Sequence, residues 1–150
     1  MSLRVLIVEP ESRIRAALHQ SVRPLADVQS QAGFEAARRL LAATPFDFIV
    51  SNVRLGDFNG LHLVYLSSDA RMPPRCIVYT TEREPLLARE VQRAGAFYET
   101  AACLPVTISA YLTGHLPDSD RRDPECTDRR LTFRGGRRCW DRHQLGEPSV

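Results

Sequence analysis

The amino-acid sequence predicts an α/β fold, a doubly wound five-stranded parallel sheet with helices packed on both faces. Two observations predict this fold. Short apolar runs alternate with segments of helical spacing in the first 116 residues, which gives a (βα)₅ pattern. The apolar runs are largely unbroken, as in strands that are buried on both faces of a parallel sheet. A chain of 150 residues is long enough to bury such a core.

The first half of the pattern contains three strands and two helices. The first strand is predicted at Leu3–Val8, which is apolar except for Arg4, and the helix Glu11–Ser21 follows with apolar residues at helical spacing. A weaker strand, Asp27–Ala32, precedes the helix Phe34–Ala43, whose apolar residues share one face. The third strand is predicted at Phe46–Val53.

Turn-forming residues separate the later elements. An Asn-Gly pair predicts a turn before a short helix over Leu61–Ser67. The fourth strand is Arg75–Thr80, and the helix Glu84–Ala94 has a proline near its start and a glycine just after its end. The pattern closes with a strand that begins at Ala96–Tyr98 and a helix over Val106–Leu112.

All 20 basic residues of the chain are arginines, since the sequence contains no lysine. Mechanisms that need a catalytic or phosphate-binding lysine are therefore excluded. The net charge of +2 is too small to indicate a nucleic-acid partner by itself.

The N-terminus does not predict a signal peptide, because its apolar run ends after six residues at Glu9. No stretch approaches the ~20 apolar residues that a membrane span needs. A cytoplasmic location is therefore expected, and the four cysteines do not predict a disulfide framework.

In a doubly wound sheet the functional site lies at the carboxyl ends of the central strands. The motifs at these strand ends occur in a distinctive order. A buried strand leads to two glutamates, another leads into a loop with Leu, Asp and Gly, a third ends in threonine, and a helix leads to a Gly-Ala pair before a Leu-Pro pair. These motifs stand at Val5–Glu11, Phe46–Gly60, Ile77–Thr80, Ala94–Ala96 and Leu104-Pro105.

In this order and spacing the motifs resemble those of a bacterial response-regulator receiver domain. The resemblance covers residues 1–116 and implies a flavodoxin-like (βα)₅ fold. It also implies a role in two-component signal transduction and phosphorelay.

The residues of the family's phosphorylation site are only partly present. The phosphoacceptor aspartate falls on Asn52, and an amide is not a usable nucleophile for this step. The second acid of the family's acidic pair falls on Pro10, so Glu9 and Glu11 are the remnant of the acidic pocket. The family's lysine is absent, and Thr80 keeps the switch hydroxyl. The resemblance therefore predicts a degenerate receiver, or pseudo-receiver, without aspartyl phosphorylation.

Two interpretations of Asn52 remain open. It is either a permanent neutral stand-in that fixes one switch state, or a polar residue hydrogen-bonded locally at a strand end. Thr80 is expected to bond to nearby backbone. Tyr79 is predicted to be a core or half-buried ring, and Tyr98 is a candidate for the family's rotating aromatic residue.

Residues 117–150 differ in composition from the rest, being rich in Arg, Asp, Pro and Gly, and they predict a disordered tail. Three interpretations stay open: a solvated tail, a polyanion-binding segment and a segment that docks on a protein. The candidate polyanion-binding residues are Arg121, Arg122, Arg129, Arg130, Arg134, Arg137 and Arg138. A zinc site would need Cys126, Cys139, His143 and His115, but the spacing lacks a CxxC pair, so no metal or other cofactor is predicted.

The leading hypothesis is a stand-alone signalling module that binds a protein partner or a second copy of itself. The resemblance places the partner face on the fourth helix, fifth strand and fifth helix, here Glu84–Arg93 and Val106–Leu112. The alternative is a nucleic-acid-associated regulator that binds through the arginine pairs of the tail. An enzyme is not predicted, because the sequence shows no phosphate-binding glycine loop, nucleophilic triad or carboxylate pair placed for acid–base chemistry.

Overall fold

The computed structural model describes residues 2–122 as one α/β domain. A parallel sheet is built from five strands, and a short hairpin is inserted after the third of them. The strands are β1 (Arg4–Val8), β2 (Asp27–Gln31), β3 (Phe48–Asn52), the hairpin strands β4 (Arg54–Leu55) and β5 (Phe58–Asn59), β6 (Arg75–Thr80) and β7 (Phe97–Thr100). The helices are α1 (Ser12–Val22), α2 (Phe34–Ala43), α3 (Gly60–Ser68), α4 (Pro85–Arg93) and α5 (Leu104–Thr113).

The five-stranded sheet has the order β2-β1-β3-β6-β7, and all its neighbours pair in parallel. β3 therefore lies at the centre, between β1 and β6, and β7 forms one edge. The predicted doubly wound sheet is confirmed, with the bounds of α2 and β6 as the sequence predicts.

Successive residues of β1 show how both faces of the sheet are covered. Val5 and Ile7 belong to the core cluster formed with α1 and α5. Leu6 and Val8 point to the opposite face, in the cluster that includes α2. Because side chains alternate along a strand, an unbroken apolar run is required when helices cover both faces.

The Asn-Gly pair at 59–60 was predicted as a turn, and this prediction is wrong. Asn59 is the N-cap of α3, where its side chain accepts a hydrogen bond from the Leu61 N–H at 2.9 Å. The turn lies earlier, in the β4–β5 hairpin, where Gly56 has a φ of +68°. Asn is a preferred residue at both turns and N-caps, and the packing of α3 decides between them.

The first residues of the predicted tail pack on the domain. The Arg75 guanidinium donates to the Pro117 carbonyl at 2.8 Å, and Asp120 and Arg122 are buried. The boundary predicted at residue 116 stays a prediction, but residues 117–122 of the predicted tail make contacts with the domain. A local polar composition does not reveal that two opposite charges will be buried together.

Among the described residues, no helix is long and apolar enough to span a membrane.

Candidate functional site

Parallel pairing brings the ends of three central strands to one edge of the sheet. Glu9 directly follows β1, Asn52 ends β3 and Thr80 ends β6. β1 and β6 flank β3, so all three residues lie at the same edge of the sheet, and Glu9 contacts Asn52 directly. This edge is where ligands of doubly wound sheets bind.

The carboxylate of Glu9 is buried and hydrogen-bonded through both oxygens. Its Oε2 accepts from Asn52 Nδ2 at 3.0 Å and from the Tyr79 hydroxyl. Its Oε1 accepts from the Glu11 N–H at 2.9 Å. Three neutral donors therefore stabilise a carboxylate that burial alone would penalise.

Asn52 has a partner at each end of its amide group. Its Nδ2 donates to Glu9, and its Oδ1 accepts from the Arg54 N–H at 3.0 Å. An aspartate in this position could accept from Arg54 but could not donate to Glu9. The carboxamide is thus matched to the buried carboxylate beside it.

Tyr79 is a member of this site that the sequence predicts only as a core or half-buried ring. Its ring is buried in the cluster beneath the sheet, and its hydroxyl reaches Glu9. Burial and the adjacent Glu9 carboxylate raise the pKa of Tyr79 well above its usual range. The hydroxyl therefore stays protonated and acts as a donor.

Glu11 contributes its backbone to the site, whereas its side chain is exposed. The positively charged side chain of Arg15 also lies beside Glu9. The Arg15 guanidinium donates to the carbonyls of Glu9 and Pro10 at 2.7 and 3.2 Å. It therefore ties α1 to the chain that follows β1.

The Thr80 hydroxyl is engaged outside the Glu9 network. It donates to the Glu82 carbonyl, which confirms the expected bond to nearby backbone, and lies 2.5 Å from the Tyr98 hydroxyl. The Tyr98 hydroxyl also accepts from the Glu84 N–H at 2.9 Å. Thr80 and Tyr98 together hold the loop between β6 and α4 against the sheet.

A cavity of about 290 Å³ opens beside Asn52, lined by the chain after β3 and by the loop after β6. Arg54 and Glu84 form an ion pair at 3.5 Å at its rim, with largely exposed side chains. Such an exposed pair contributes only ~0–1 kcal/mol to stability.

Within residues 2–122 no cluster of His, Cys, Asp and Glu side chains is arranged to hold a metal ion.

The arginines predicted to bind polyanions divide into two groups. Arg121 is exposed, whereas Arg122 is buried with its guanidinium against the carboxylates of Asp120 and Glu99. Arg122 therefore differs from the prediction, because carboxylates of the chain itself occupy its donors. His115 is exposed on the described part of the chain. The residues outside the described range are Arg129, Arg130, Arg134, Arg137, Arg138, Cys126, Cys139 and His143.

Glu99 was missed by the sequence analysis, although it has a detectable signal. It is a charged residue directly after Ala96–Tyr98, where the sequence predicts the last strand to begin, and it is fully buried in β7. A buried carboxylate requires a cation or hydrogen-bond donors. The guanidinium of Arg122 and the hydroxyl of Tyr111 supply them at 2.8 and 2.7 Å.

Comparison with protein-family models and with curated protein sequences finds no match. Solved structures do share the architecture. The BeF3-activated receiver domain of DrrB, a response regulator of Thermotoga maritima, has a TM-score of 0.67 at 20% identity, covering 74% of this chain and 94% of that chain.

Two further similar structures come from other organisms. A CheY-like receiver domain protein from Methanospirillum hungatei has a TM-score of 0.68 at 18% identity, covering 74% of this chain and 90% of its own. A chain from the co-crystal structure of Saccharomyces cerevisiae Ypd1 with the Ssk1 receiver domain has a TM-score of 0.67 at 17% identity. The match covers 75% of this chain and 87% of that chain. The chain therefore has the fold of response-regulator receiver domains.

Proposed function

We propose that this chain is a signalling module of the two-component type that acts by binding a protein partner. It is not phosphorylated at the end of β3, where Asn52 occupies the acceptor position. The observation that carries the proposal is the closed network around Glu9. The residue at the acceptor position, Asn52, is a donor in that network rather than a nucleophile.

The chemistry of aspartyl phosphorylation supports this proposal by what it requires. A carboxylate must attack phosphorus, and Mg²⁺ and further cationic groups must neutralise the charge on the transferring group. Here Glu9 is already bonded to three protein donors, and the chain has no lysine. A metal ion would have to displace those donors from a buried carboxylate.

The partner face is proposed on α4 and α5, the helices on either side of β7, whose own residues are buried. Leu86 of α4 is 75% exposed and Val106 of α5 is 47% exposed, so both helices present apolar side chains to solvent. The yeast structure similar to this chain combines a receiver domain with a histidine phosphotransfer protein.

Amide NMR spectra of the full chain test the absence of phosphorylation. Mg²⁺ with a small phosphoryl donor, or with beryllofluoride, should leave the signals around Asn52 and Thr80 unchanged. Asn52→Asp alone should not restore phosphorylation, because the second acid and the lysine are still missing. Site-wide shifts in the wild-type chain would overturn this part of the proposal.

Crosslinked pull-downs from the source cell test the partner face. Leu86→Arg with Val106→Arg should lose partners that the wild-type chain retains. Tyr65→Arg is the matched control, because Tyr65 is 55% exposed on α3, away from that face. Partners that are retained equally by both variants would contradict the proposed face.

A further inference from the structure

The outer edge of β7, which pairs with no other strand of the sheet, is covered by a short segment of the same chain. This segment is Asp120–Arg122, and we call it the clasp. The Asp120 carboxylate accepts from the Tyr98 N–H at 3.2 Å, and the Arg122 guanidinium donates to the Tyr98 carbonyl. Edge strands present unpaired backbone groups of this kind. Two side chains of the clasp therefore satisfy the backbone donor and acceptor that one edge residue leaves open.

The clasp is also the charge partner of Glu99. Arg122 Nη1 lies 2.8 Å from Glu99 Oε1, which also accepts from the Tyr111 hydroxyl. Glu99 Oε2 has no hydrogen-bond partner and is the only buried side-chain polar atom of residues 2–122 in that state. Removing the guanidinium would therefore leave a buried carboxylate without its cation, which is strongly unfavourable.

Within the clasp, Asp120 and Arg122 hold each other in position. Arg122 Nε donates to Asp120 Oδ1 at 2.6 Å, and Nη2 lies 2.5 Å from Oδ2. The Gln92 side chain of α4 donates to the Arg122 carbonyl at 2.7 Å. Arg121 between them is exposed. The contacts with the β7 edge are thus made by the Asp at the first position and the Arg at the third, while the middle side chain is exposed.

The same pattern occurs a second time in the chain. Ser119–Arg122 reads Ser-Asp-Arg-Arg, and Thr127–Arg130 reads Thr-Asp-Arg-Arg, eight residues later. The second copy has the Asp and Arg at the same spacing as the clasp. It lies outside the described residues.

We propose that the β7 edge is a binding site for an Asp-X-Arg segment and that Asp128–Arg130 is its second occupant, exchanging with the clasp. Six residues separate the end of α5 from Asp120, and fourteen separate it from Asp128. Closing the longer loop disfavours the second arrangement by only about fourfold. The exchange replaces the clasp at the β7 edge with a segment that lies eight residues later in the sequence.

The proposed site can be tested independently of the proposed signalling role, because the measurement uses this chain alone and no partner protein. Hydrogen exchange of the Tyr98 amide, followed by NMR on the full chain, reports whether the β7 edge is covered. Arg122→Ala should accelerate this exchange by only about fourfold, since Asp128–Arg130 replaces the clasp. Arg122→Ala with Arg130→Ala should accelerate it by a further tenfold or more, because no second arginine remains.

Arg121→Ala with Arg129→Ala is the matched control and should exchange as the wild type does. The proposal is overturned if Arg122→Ala alone exchanges as fast as the double variant, or if the double variant stays as protected as the wild type. Should the double variant fail to fold by circular dichroism, Asp120→Asn and Asp120→Asn with Asp128→Asn make the same comparison with side chains of equal size.

A synthetic peptide of residues 125–132, with Cys126→Ser to prevent oxidation, provides a direct probe. Added to the Arg122→Ala, Arg130→Ala chain, it should restore protection of the Tyr98 amide in a saturable manner. The same peptide with Arg130→Ala should not. Equal effects of the two peptides, or no effect of either, would show that the β7 edge does not recognise the second segment.

Discussion

The side-chain amide of Asn52 donates a hydrogen bond to Glu9 Oε2 across 3.0 Å, linking the ends of two neighbouring strands. The two residues stand where the resemblance places an acceptor aspartate and an acid of the magnesium site. A pair of carboxylates in this arrangement would repel each other and require a cation between them. The Asn–Glu pair needs no cation, so the strand ends are joined without metal.

Asn52→Asp should destabilise the chain at neutral pH by about 1–3 kcal/mol, because it removes a donor from Glu9 and sets a second carboxylate beside it. The free energy of unfolding in urea at pH 7 is the measurement. Asn59→Asp is the control and should be nearly neutral, since Asp also caps helices well. Equal stability of Asn52→Asp and the wild type at pH 7 would contradict the network.

Tyr79→Phe should cost about 1.5–3 kcal/mol, because it removes one donor to a buried carboxylate and leaves the ring in place. The free energy of unfolding in urea is the measurement. Tyr65→Phe, on an exposed position of α3, should change it by less than ~0.5 kcal/mol. If both variants are equally stable, the Tyr79 hydroxyl does not support Glu9.

Gly60 begins α3 directly against the end of β3. A Cβ atom at this position would lie 2.4 Å from the Asn52 carbonyl oxygen. Gly60→Ser should therefore cost about 1–3 kcal/mol and shift the amide signals of Asn52. Gly33→Ser makes the same substitution at the N-cap of α2, where a Cβ meets nothing within 4 Å, and it should be neutral or stabilising. A stable, unshifted Gly60→Ser chain would show that β3 and α3 are not packed this closely.

Cys76 should make stability fall with pH in an alkaline window. Burial raises the pKa of the Cys76 thiol from 9.0 to about 11, although the hydrogen bond with Ser67 lowers it in part. Between pH 9 and 11 the unfolded chain has lost this proton and the folded chain has kept it, so stability decreases as pH rises. From pH 8 to pH 10.5, the loss of unfolding free energy should be about 2 kcal/mol smaller in Cys76→Val than in the wild type. An equal loss in both chains would contradict the raised pKa.

The sequence by itself determined the elements and their topological class. The bounds of Phe34–Ala43 and Arg75–Thr80 are as predicted because their signals, helical spacing and a short run rich in apolar residues, are local. The alternation of such segments is sufficient to predict a parallel sheet, and the sheet places Glu9 and Asn52 at one edge. The absence of lysine was equally a property of the sequence alone.

The tertiary structure alone decided which of those side chains bond to each other. Tyr79 faces the core by its position in β6, and only the pairing of β1, β3 and β6 brings its hydroxyl to Glu9. Arg122 lies in a segment whose composition predicts disorder, yet Glu99, distant in sequence, neutralises its charge. Burying an ion pair depends on two distant residues meeting in one place, and no local pattern contains that information.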